Sequence, residues 1–475
     1  MLSHIFNLVL TTGVYPDALK VAKVIPIFKK GNRNYPENYR PISLLPSINK
    51  LLEKTIEKRL RIFLKDNNTL FDYQFGFRKC HDTSHALLET INCIRTHLDN
   101  GENVLGLYLD LKKAFDTVDH RILLQKLYSY GIRGKAYDVI SSYLSGRKQL
   151  MYVNGVLSNY TSINIGVPQG SVLGPLFFLM YVNDIRNIVP NESVRLFADD
   201  TNVFVHDKDC VKLVCKAQAV LSQLKTWFNS NKLTLHLGKT TFSIFHSNES
   251  GAHTCPDHFT LNDTKICRTA CAKYLGLLID DKLSFKNHID DLCNSLVKYN
   301  GIFYRLRTSL PLAVAIQLYY SLVYSKISYG IEIFGVVKAS ILRPLQVLQN
   351  RILKTITFSQ RRYPTDQLHS NLGILKVSDI HTLRMCTFVF KYVNSKLPQV
   401  FCNIVNPRRS SHVPNPTRNN ALFSVTRHNS KHGKLLLNNY CYKIWSDLPN
   451  DIKLSRSYVT FKDKVKSLLI DNYAA

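Results

Sequence analysis

Residues 195–205 read RLFADDTNVFV, in which two adjacent aspartates separate two apolar runs. Apolar runs of this length around a polar pair predict two strands that meet at a tight turn. Aspartate is common in turns because it tolerates their geometry and can bond to its own backbone, so Asp199 and Asp200 are compatible with a solvated hairpin tip. They are also compatible with a metal site, and the choice depends on what the chain places beside them.

A third aspartate ends another predicted strand. The run NVLGLYLDL, residues 103–111, is almost continuously apolar, which predicts a strand buried on both faces, and Asp110 lies near its end. Two carboxylates about 4 Å apart repel by about 4 kcal/mol at an effective dielectric constant of about 20, whereas a divalent cation reverses that sign. If the two strands are neighbours, the three aspartates converge as two-metal phosphoryl transfer requires. Taken alone, the pattern also fits ordinary turns and caps.

The composition favours a polyanionic partner. The 475 residues include 62 Lys and Arg against 34 Asp and Glu, a formal net charge of +28, and 45% of them are hydrophobic. Such a chain can bury the cores of two or three domains, and its charge suits nucleic acid or an acidic membrane surface. The longest apolar stretch near the middle is too short for a span of roughly 20 residues, and we find no signal peptide pattern. We therefore expect an intracellular protein with no membrane association.

Eleven cysteines without a CxxC pair predict reduced thiols rather than a disulfide framework. One possible cluster of metal ligands consists of His253, Cys255, His258, Cys267 and Cys271. Zinc sites usually have closer paired spacings, so we interpret this stretch as a polar loop.

Helical periodicity organises much of the chain. Residues 46–68, PSINKLLEKTIEKRLRIFLKDNN, repeat apolar residues on one face, and a second helix is predicted from about Thr83 to His97. Strands interleaved with helices in this part predict an α/β or α+β core. From about residue 290 onward long helical patterns replace the strand patterns, which indicates a separate helical domain. Residues 406–420 are rich in Pro, Ser, Asn and Arg and form the predicted linker.

Seven stretches carry specific motifs in a fixed order. They are NYRPISLL (38–45), QFGFRK (74–79), LYLDLKKAFDTVDH (107–120), GVPQGSVLGPLFF (166–178), FADDTNVF (197–204), WFNSNKLTLHLGKTTF (227–242) and KYLGLLIDDKLSF (273–285). Together they resemble the polymerase motifs of non-LTR retrotransposon reverse transcriptases of the jockey and LINE type. One such motif arises easily by chance, whereas seven in order do not.

The resemblance implies an α+β fold, a right-hand polymerase whose palm carries the catalytic aspartates on an antiparallel sheet. We expect residues 1–285 to form fingers and palm, 286–405 a helical thumb, 406–420 a linker and 421–475 a small C-terminal region. The N-terminal endonuclease that such elements usually encode is expected to be absent.

The implied activity is RNA-directed DNA polymerisation, a two-metal nucleotidyl transfer that uses two Mg²⁺ ions, with Mn²⁺ as a substitute. The implied partners are an RNA template, a DNA primer or nicked target DNA, and deoxynucleoside triphosphates. The implied location is the cytoplasm and nucleus, in a retrotransposon ribonucleoprotein. Two alternatives stay open: a non-catalytic domesticated or fossil nucleic-acid-binding protein, and an RNA-dependent RNA polymerase.

The motifs also imply site residues. They assign metal binding to Asp110, Asp199 and Asp200, assisted by the carbonyl of Leu111, and proton donation to the departing pyrophosphate to Lys239. A lysine in a polar loop, exposed and without a catalytic role, is the alternative for Lys239.

Other motif positions are expected to contact the nucleotide and the primer. The assignments are Lys29, Lys30 and Arg40 to the triphosphate, Phe115 to a steric gate against a 2′-hydroxyl, Gln169 and Gly170 to the templating base pair and nucleotide, and Tyr274, Leu275 and Gly276 to the primer grip. Basic side chains suit phosphate because the contacts are charge-assisted. Phe115 also fits a core aromatic, but a bulky ring at this position argues against an RNA polymerase, which must accept ribose.

Overall fold

The computed structural model describes residues 1–247, 255–261, 264–404, 428 and 430–473. The strands in these ranges are β1 Val21–Phe28, β2 Tyr39–Leu44, β3 Asn103–Leu109, β4 Leu111–Lys112, β5 Arg147–Val153, β6 Val156–Leu157, β7 Thr161–Ile163, β8 Ser193–Phe197, β9 Asp200–Asp207, β10 Thr234–Leu235, β11 Thr241–Phe245, β12 His258–Leu261, β13 Thr264–Arg268, β14 Cys271–Tyr274 and β15 Leu277–Asp280. The α-helices are α1 Leu2–Thr12, α2 Ser47–Asp66, α3 Thr83–Asp99, α4 His120–Ser129, α5 Lys135–Leu144, α6 Leu173–Val182, α7 Cys210–Ser230, α8 Lys286–Leu306, α9 Leu312–Tyr319, α10 Ser325–Ser328, α11 Ile331–Phe334, α12 Ala339–Ile356, α13 Thr365–Leu372, α14 Val377–Val393, α15 Val400–Ile404, α16 Lys431–Lys434, α17 Leu437–Ser446, α18 Asn450–Lys453 and α19 Tyr458–Asp471.

The sheet that carries the predicted aspartates, here called the palm sheet, has the strand order β12-β13-β11-β3-β9-β8. Its central strand β3 is antiparallel to both neighbours, β11 and β9, and all seven of its residues are buried. Side chains alternate along a strand, so Val104 and Tyr108 enter the core formed with α3, while Leu105 and Leu107 enter the core formed with α7. The prediction of a strand buried on both faces is confirmed.

A second sheet, here called the fingers sheet, has the order β2-β1-β5-β6, with β7 also paired to β5. Helix α2 packs against α6 and buries Leu52, Ile56, Leu60 and Leu64, which recur every four residues on one face. The helices predicted at residues 46–68 and from Thr83 are both present, and the second is α3, which continues to Asp99.

Helices alone follow the palm within the described residues from 286 onward. The last part of the chain does not stand apart, because it returns to α3 in the palm. The Asp99 carboxylate accepts hydrogen bonds from Ser430 and, at 2.6 Å, from His428 Nδ1, and Asn92 Oδ1 accepts from the Leu437 amide at 2.8 Å. Helices α17 and α19 therefore share one hydrophobic core with α3 and the thumb helices.

These observations establish the expected α+β fold, with fingers, palm and a helical thumb. The domain boundaries stay predictions, and the predicted linker at residues 406–420 lies outside the described residues. In the part of the chain that the structure describes, no helix is both long and apolar enough to cross a membrane.

Candidate active site

The three predicted aspartates meet at one end of the palm sheet. Strands β3 and β9 pair with Leu109 opposite Thr201, so Asp110 emerges beside Asp200. Phe197 pairs with Asp200 across the β8–β9 hairpin, which leaves Ala198 and Asp199 as its two-residue turn. Antiparallel pairing therefore places three acidic side chains, from two separate parts of the sequence, at the same edge.

Electrostatics show that these carboxylates act on one another. Partial desolvation, and then repulsion from Asp199 and Asp110, raises the pKa of Asp200 to about 6. The repulsive part of this shift comes from two neighbouring carboxylates, and a bound cation would offset it. Oxygen ligands of this kind suit Mg²⁺ and Mn²⁺, so the side chains present fit a divalent ion. Leu111 follows in β4, paired with Leu235, and the role of its carbonyl remains a prediction.

The turn that carries Asp199 is held from the side by the QFGFRK segment. The Gln74 amide oxygen accepts hydrogen bonds from the backbone N–H of Ala198 at 3.2 Å and of Gly76 at 2.9 Å. The backbone also pairs, since the Phe75 N–H donates to the Leu196 carbonyl at 2.8 Å. Gly76 is needed for this approach, because a Cβ there would lie 2.3 Å from the Ala198 nitrogen.

A buried ion pair lies beneath the same hairpin. Arg195 of β8 donates through Nη2 to Oε1 of Glu89 on α3 at 2.6 Å, and its Nε donates to the other carboxylate oxygen. The Tyr73 ring covers the guanidinium at 4.1 Å. Removing one partner of a buried pair costs about 3–5 kcal/mol, so this pair resists displacement of β8 from α3.

Phe115 lies in the turn after β4, and its position is fixed by aromatic packing. Its ring stacks on Phe178 of α6 with centroids 4.6 Å apart and lies edge-on to Phe77 at 6.2 Å. The ring is only partly buried, so it belongs to the core on one side and borders solvent on the other. This position is consistent with a steric gate, and that role remains a prediction.

The loop at residues 166–170 joins the fingers to the Phe115 turn. Gln169 Nε2 donates to Asp116 Oδ1 at 2.9 Å, and the Gln169 carbonyl accepts from the Ser43 N–H of β2 at 2.7 Å. Gly170 has φ +116°, and a Cβ there would lie 2.7 Å from the Ser43 carbonyl oxygen. The sequence suggested that Gly170 has no side chain so that a nucleotide can approach the backbone. In the structure the missing side chain also makes room for the backbone of β2 at Ser43.

Buried Glu53 of α2 positions this loop from behind. Its Oε2 accepts the Val172 N–H at 2.5 Å and the Leu173 N–H at 3.3 Å, which caps the amino end of α6. The fingers helix therefore orients the segment that carries Gln169 and Gly170.

The predicted phosphate-binding residues are not equivalent. The charge of Lys29 acts to lower the pKa of Asp200 and so offsets part of the rise caused by desolvation and repulsion. Arg40 lies on β2 opposite Ile27 and is exposed, as is Lys30. The structure shows no contact of either with the described aspartates, and their role toward triphosphate remains a prediction.

Lys239 lies beside the first of the three aspartates. Its Nζ lies 3.3 Å from Asp110 Oδ2, and the Asp110 carbonyl accepts the His236 N–H at 2.8 Å. A lysine far along the sequence is therefore beside the first carboxylate. Lys239 is therefore paired with a predicted metal ligand, and its role as a proton donor remains a prediction.

The predicted primer grip forms a hairpin turn below the palm sheet. Leu275 and Gly276 connect β14 to β15, and the Leu275 carbonyl accepts the Tyr329 hydroxyl at 2.5 Å. Tyr274 itself is buried, and burial raises the pKa of its hydroxyl. The Tyr274 side chain therefore belongs to the core that the palm shares with the thumb helices, and the primer-grip role of the turn remains a prediction.

The family model described as reverse transcriptase (RNA-dependent DNA polymerase) matches residues 27–279, more than half of the chain. The chain belongs to the reverse transcriptase family.

Individual relatives agree with this assignment. The RNA-directed DNA polymerase from mobile element jockey of Drosophila melanogaster is 31% identical over 389 residues, which are 80% of this chain and 42% of that protein. The probable RNA-directed DNA polymerase from transposon X-element of the same species is 28% identical over 383 residues, 79% of this chain and 42% of the relative. The chain thus spans about 42% of the length of these curated relatives. The resemblance to jockey-type reverse transcriptases is confirmed.

A solved structure of apo telomerase from Candida Tropicalis is 11% identical and aligns over 85% of this chain and 71% of that one, with a TM-score of 0.40.

The sequence of this member of the reverse transcriptase family did not by itself indicate the roles of Gln74, Gly76 and the Glu89–Arg195 pair. The QFGFRK stretch was part of the resemblance, but no role followed from it because its partner, the Asp199 turn, is distant in sequence. An available signal was Arg195 itself, since a charged residue inside an apolar strand pattern is rare unless it is paired.

Proposed function

We propose that this chain is an RNA-directed DNA polymerase that adds deoxynucleotides to a DNA 3′-end on an RNA template. The observation that carries the proposal is the convergence of Asp110, Asp199 and Asp200 on the ends of β3 and β9, within a chain of the reverse transcriptase family. Two relatives that are 31% and 30% identical to this chain are named RNA-directed DNA polymerase from mobile element jockey.

The three aspartates would hold two Mg²⁺ ions, with Mn²⁺ as a substitute. Bound there, such ions supply a lowered pKa for the attacking 3′-hydroxyl and charge stabilisation for the leaving pyrophosphate. Lys239, which lies 3.3 Å from Asp110, would deliver a proton to that pyrophosphate.

Selection of the nucleotide falls to residues around the carboxylates. Lys29, whose charge acts on Asp200, would pair with the triphosphate, together with Arg40 and Lys30 from the same β-hairpin. Phe115, fixed by its stack on Phe178, would fill the space that a 2′-hydroxyl needs. The rigid ring therefore selects deoxyribose by exclusion.

The proposed partners are an RNA template, a DNA primer or a nicked chromosomal end, and deoxynucleoside triphosphates. The net charge of +28 supports a nucleic-acid partner, because a basic surface gains binding affinity when it releases counterions from the phosphate backbone. We extend the proposal to a retrotransposon ribonucleoprotein in cytoplasm and nucleus.

The test is primer extension on an RNA template with deoxynucleotides and Mg²⁺, comparing wild type, Asp199→Ala and Asp463→Ala, the last an exposed aspartate on α19. We expect wild type and Asp463→Ala to extend the primer and Asp199→Ala to lose extension. Salt-sensitive RNA binding without extension by any of the three would instead indicate a nucleic-acid-binding protein. Extension with ribonucleotides in preference to deoxynucleotides would indicate an RNA polymerase.

A further inference from the structure

A second group of potential ligands lies at the end of the palm sheet away from the aspartates. Cys210 opens α7 just beyond β9, His246 follows β11, and Cys255 precedes β12. Their ligand atoms, two sulfurs and one imidazole nitrogen, all lie within 4.8 Å of one another. Strand β3 separates the two sites, since its Leu109 end adjoins Asp110 and its Asn103 end adjoins this cluster.

We propose that Cys210, His246 and Cys255 bind one zinc ion. Two thiolates and one imidazole are ligands that Zn²⁺ prefers and that Mg²⁺ does not. With Zn–S bonds of about 2.3 Å and a Zn–N bond of about 2.0–2.1 Å, tetrahedral geometry places ligand atoms about 3.5–3.8 Å apart. The distances between the ligand atoms therefore need to shorten by at most about 1.3 Å, which small side-chain rotations supply.

The imidazole supports this assignment. His246 Nδ1 is buried and makes no hydrogen bond in the described structure. A buried polar nitrogen without a partner is unfavourable, and coordination to a metal removes that penalty. The other ring nitrogen, Nε2, lies 3.4 Å from Nη2 of Arg268. If Nδ1 binds the metal, the ring hydrogen lies on Nε2, and two N–H donors then face each other, so the Arg268–His246 contact must lengthen. The positive charge of Arg268 still offsets the negative charge of the two thiolates.

The cysteine at α7 has its own supporting groups. Asn103 is buried, and its Nδ2 donates to Cys210 Sγ at 3.6 Å while its Oδ1 accepts the Ser247 N–H at 3.1 Å. Hydrogen bonds of this kind orient ligands and stabilise a thiolate. Cys210 also lies in the first turn of a 21-residue helix, where the helix dipole favours negative charge.

The site would connect three segments of the palm. A zinc ion bound there joins the start of α7, the residue after β11 and Cys255 in the segment that leads into β12, so the zinc affinity adds to the stability of the folded state. Among the described residues the cluster has three ligands, which leaves one tetrahedral position for water. In the sequence Cys255 stands near His253 and His258, whereas its spatial partners Cys210 and His246 lie on other elements.

The first experiment measures zinc in the purified full chain by inductively coupled plasma mass spectrometry. We expect about one zinc ion per chain in the wild type and none in a Cys210→Ser, Cys255→Ser double variant. The matched control is Cys215→Ser with Cys267→Ser, which changes two exposed cysteines and should keep the zinc. An equal zinc content in both double variants would overturn the proposal.

A second measurement avoids dependence on the folding of the variant. Wild-type protein is exchanged with Co²⁺, and we expect the visible absorption of tetrahedral cobalt together with a near-ultraviolet thiolate charge-transfer band. Absence of both bands would overturn the proposal, as would a Cys210–Cys255 disulfide found by non-reducing peptide mass spectrometry in protein purified without oxidant. Neither measurement depends on polymerase activity, so its failure is distinct from failure of the proposed function.

Discussion

Gly76→Ala tests whether the QFGFRK segment holds the hairpin that carries Asp199. An added Cβ would lie 2.3 Å from the backbone nitrogen of Ala198 and 3.0 Å from the carbonyl carbon of Phe197. Both are backbone atoms, so no side-chain rotation relieves the clash, and a separation of even 3.0 Å from the nitrogen requires a shift of about 0.7 Å. Overpacking of this kind costs about 1–3 kcal/mol, and a misplacement of about 1 Å can cost about 100-fold in rate. We expect losses of about 1–3 kcal/mol in unfolding free energy and about 10–100-fold in kcat.

The assay is steady-state primer extension on an RNA template, combined with denaturant unfolding followed by circular dichroism. The matched control is Gly301→Ala in α8, where an added Cβ meets no atom within 4 Å. Alanine there should stabilise the helix by up to about 1 kcal/mol and leave kcat unchanged. If Gly76→Ala kept wild-type kcat and wild-type stability, the close contact between segment and hairpin would not position the aspartates.

Three further predictions concern single side chains. Phe115→Val should admit ribonucleotides, measured as the ratio of kcat/KM for a ribonucleotide to that for the matching deoxynucleotide; an unchanged ratio would remove the steric-gate assignment. Arg40→Ala should raise KM for the nucleotide by about 10-fold or more, as expected for a lost charge-assisted phosphate contact, and weaken template binding less; equal losses would place Arg40 on the template. A hydrogen bond from His97 and the nearby His206 lower the pKa of Glu102 in the folded protein. The ionised carboxylate therefore stabilises the fold at pH values above the pKa of Glu102 in the unfolded chain. This contribution is lost as the pH falls through the lower pKa of the folded protein. Glu102→Gln should therefore lower Tm at neutral pH, with the difference from wild type shrinking in acid; a constant difference would show that the charge is not responsible.

Local sequence patterns predicted the strands and helices well where the pattern of burial repeats regularly along the element. The apolar run of β3 and the four-residue repeat of α2 are examples, because continuous burial on a strand and one-sided burial on a helix leave direct periodicities. The return of the C-terminal region to α3 had no such signal. It depends on contacts such as Asp99 with His428, which join residues more than 300 positions apart.

The sequence by itself determined the family, the α+β class and the positions of the three aspartates at the ends of strands. Strand periodicity and turn chemistry are local properties of the sequence, and the motifs keep their order along it. Only the tertiary structure decided how those aspartates are held and what surrounds them. Gln74 meets Ala198, Lys239 meets Asp110, and Cys210 meets Cys255 because strand pairing and helix packing bring distant segments within a few ångströms. Hydrogen bonds and metal ligation depend on the distance between atoms in space. The order of residues along the chain does not specify which distant residues come that close.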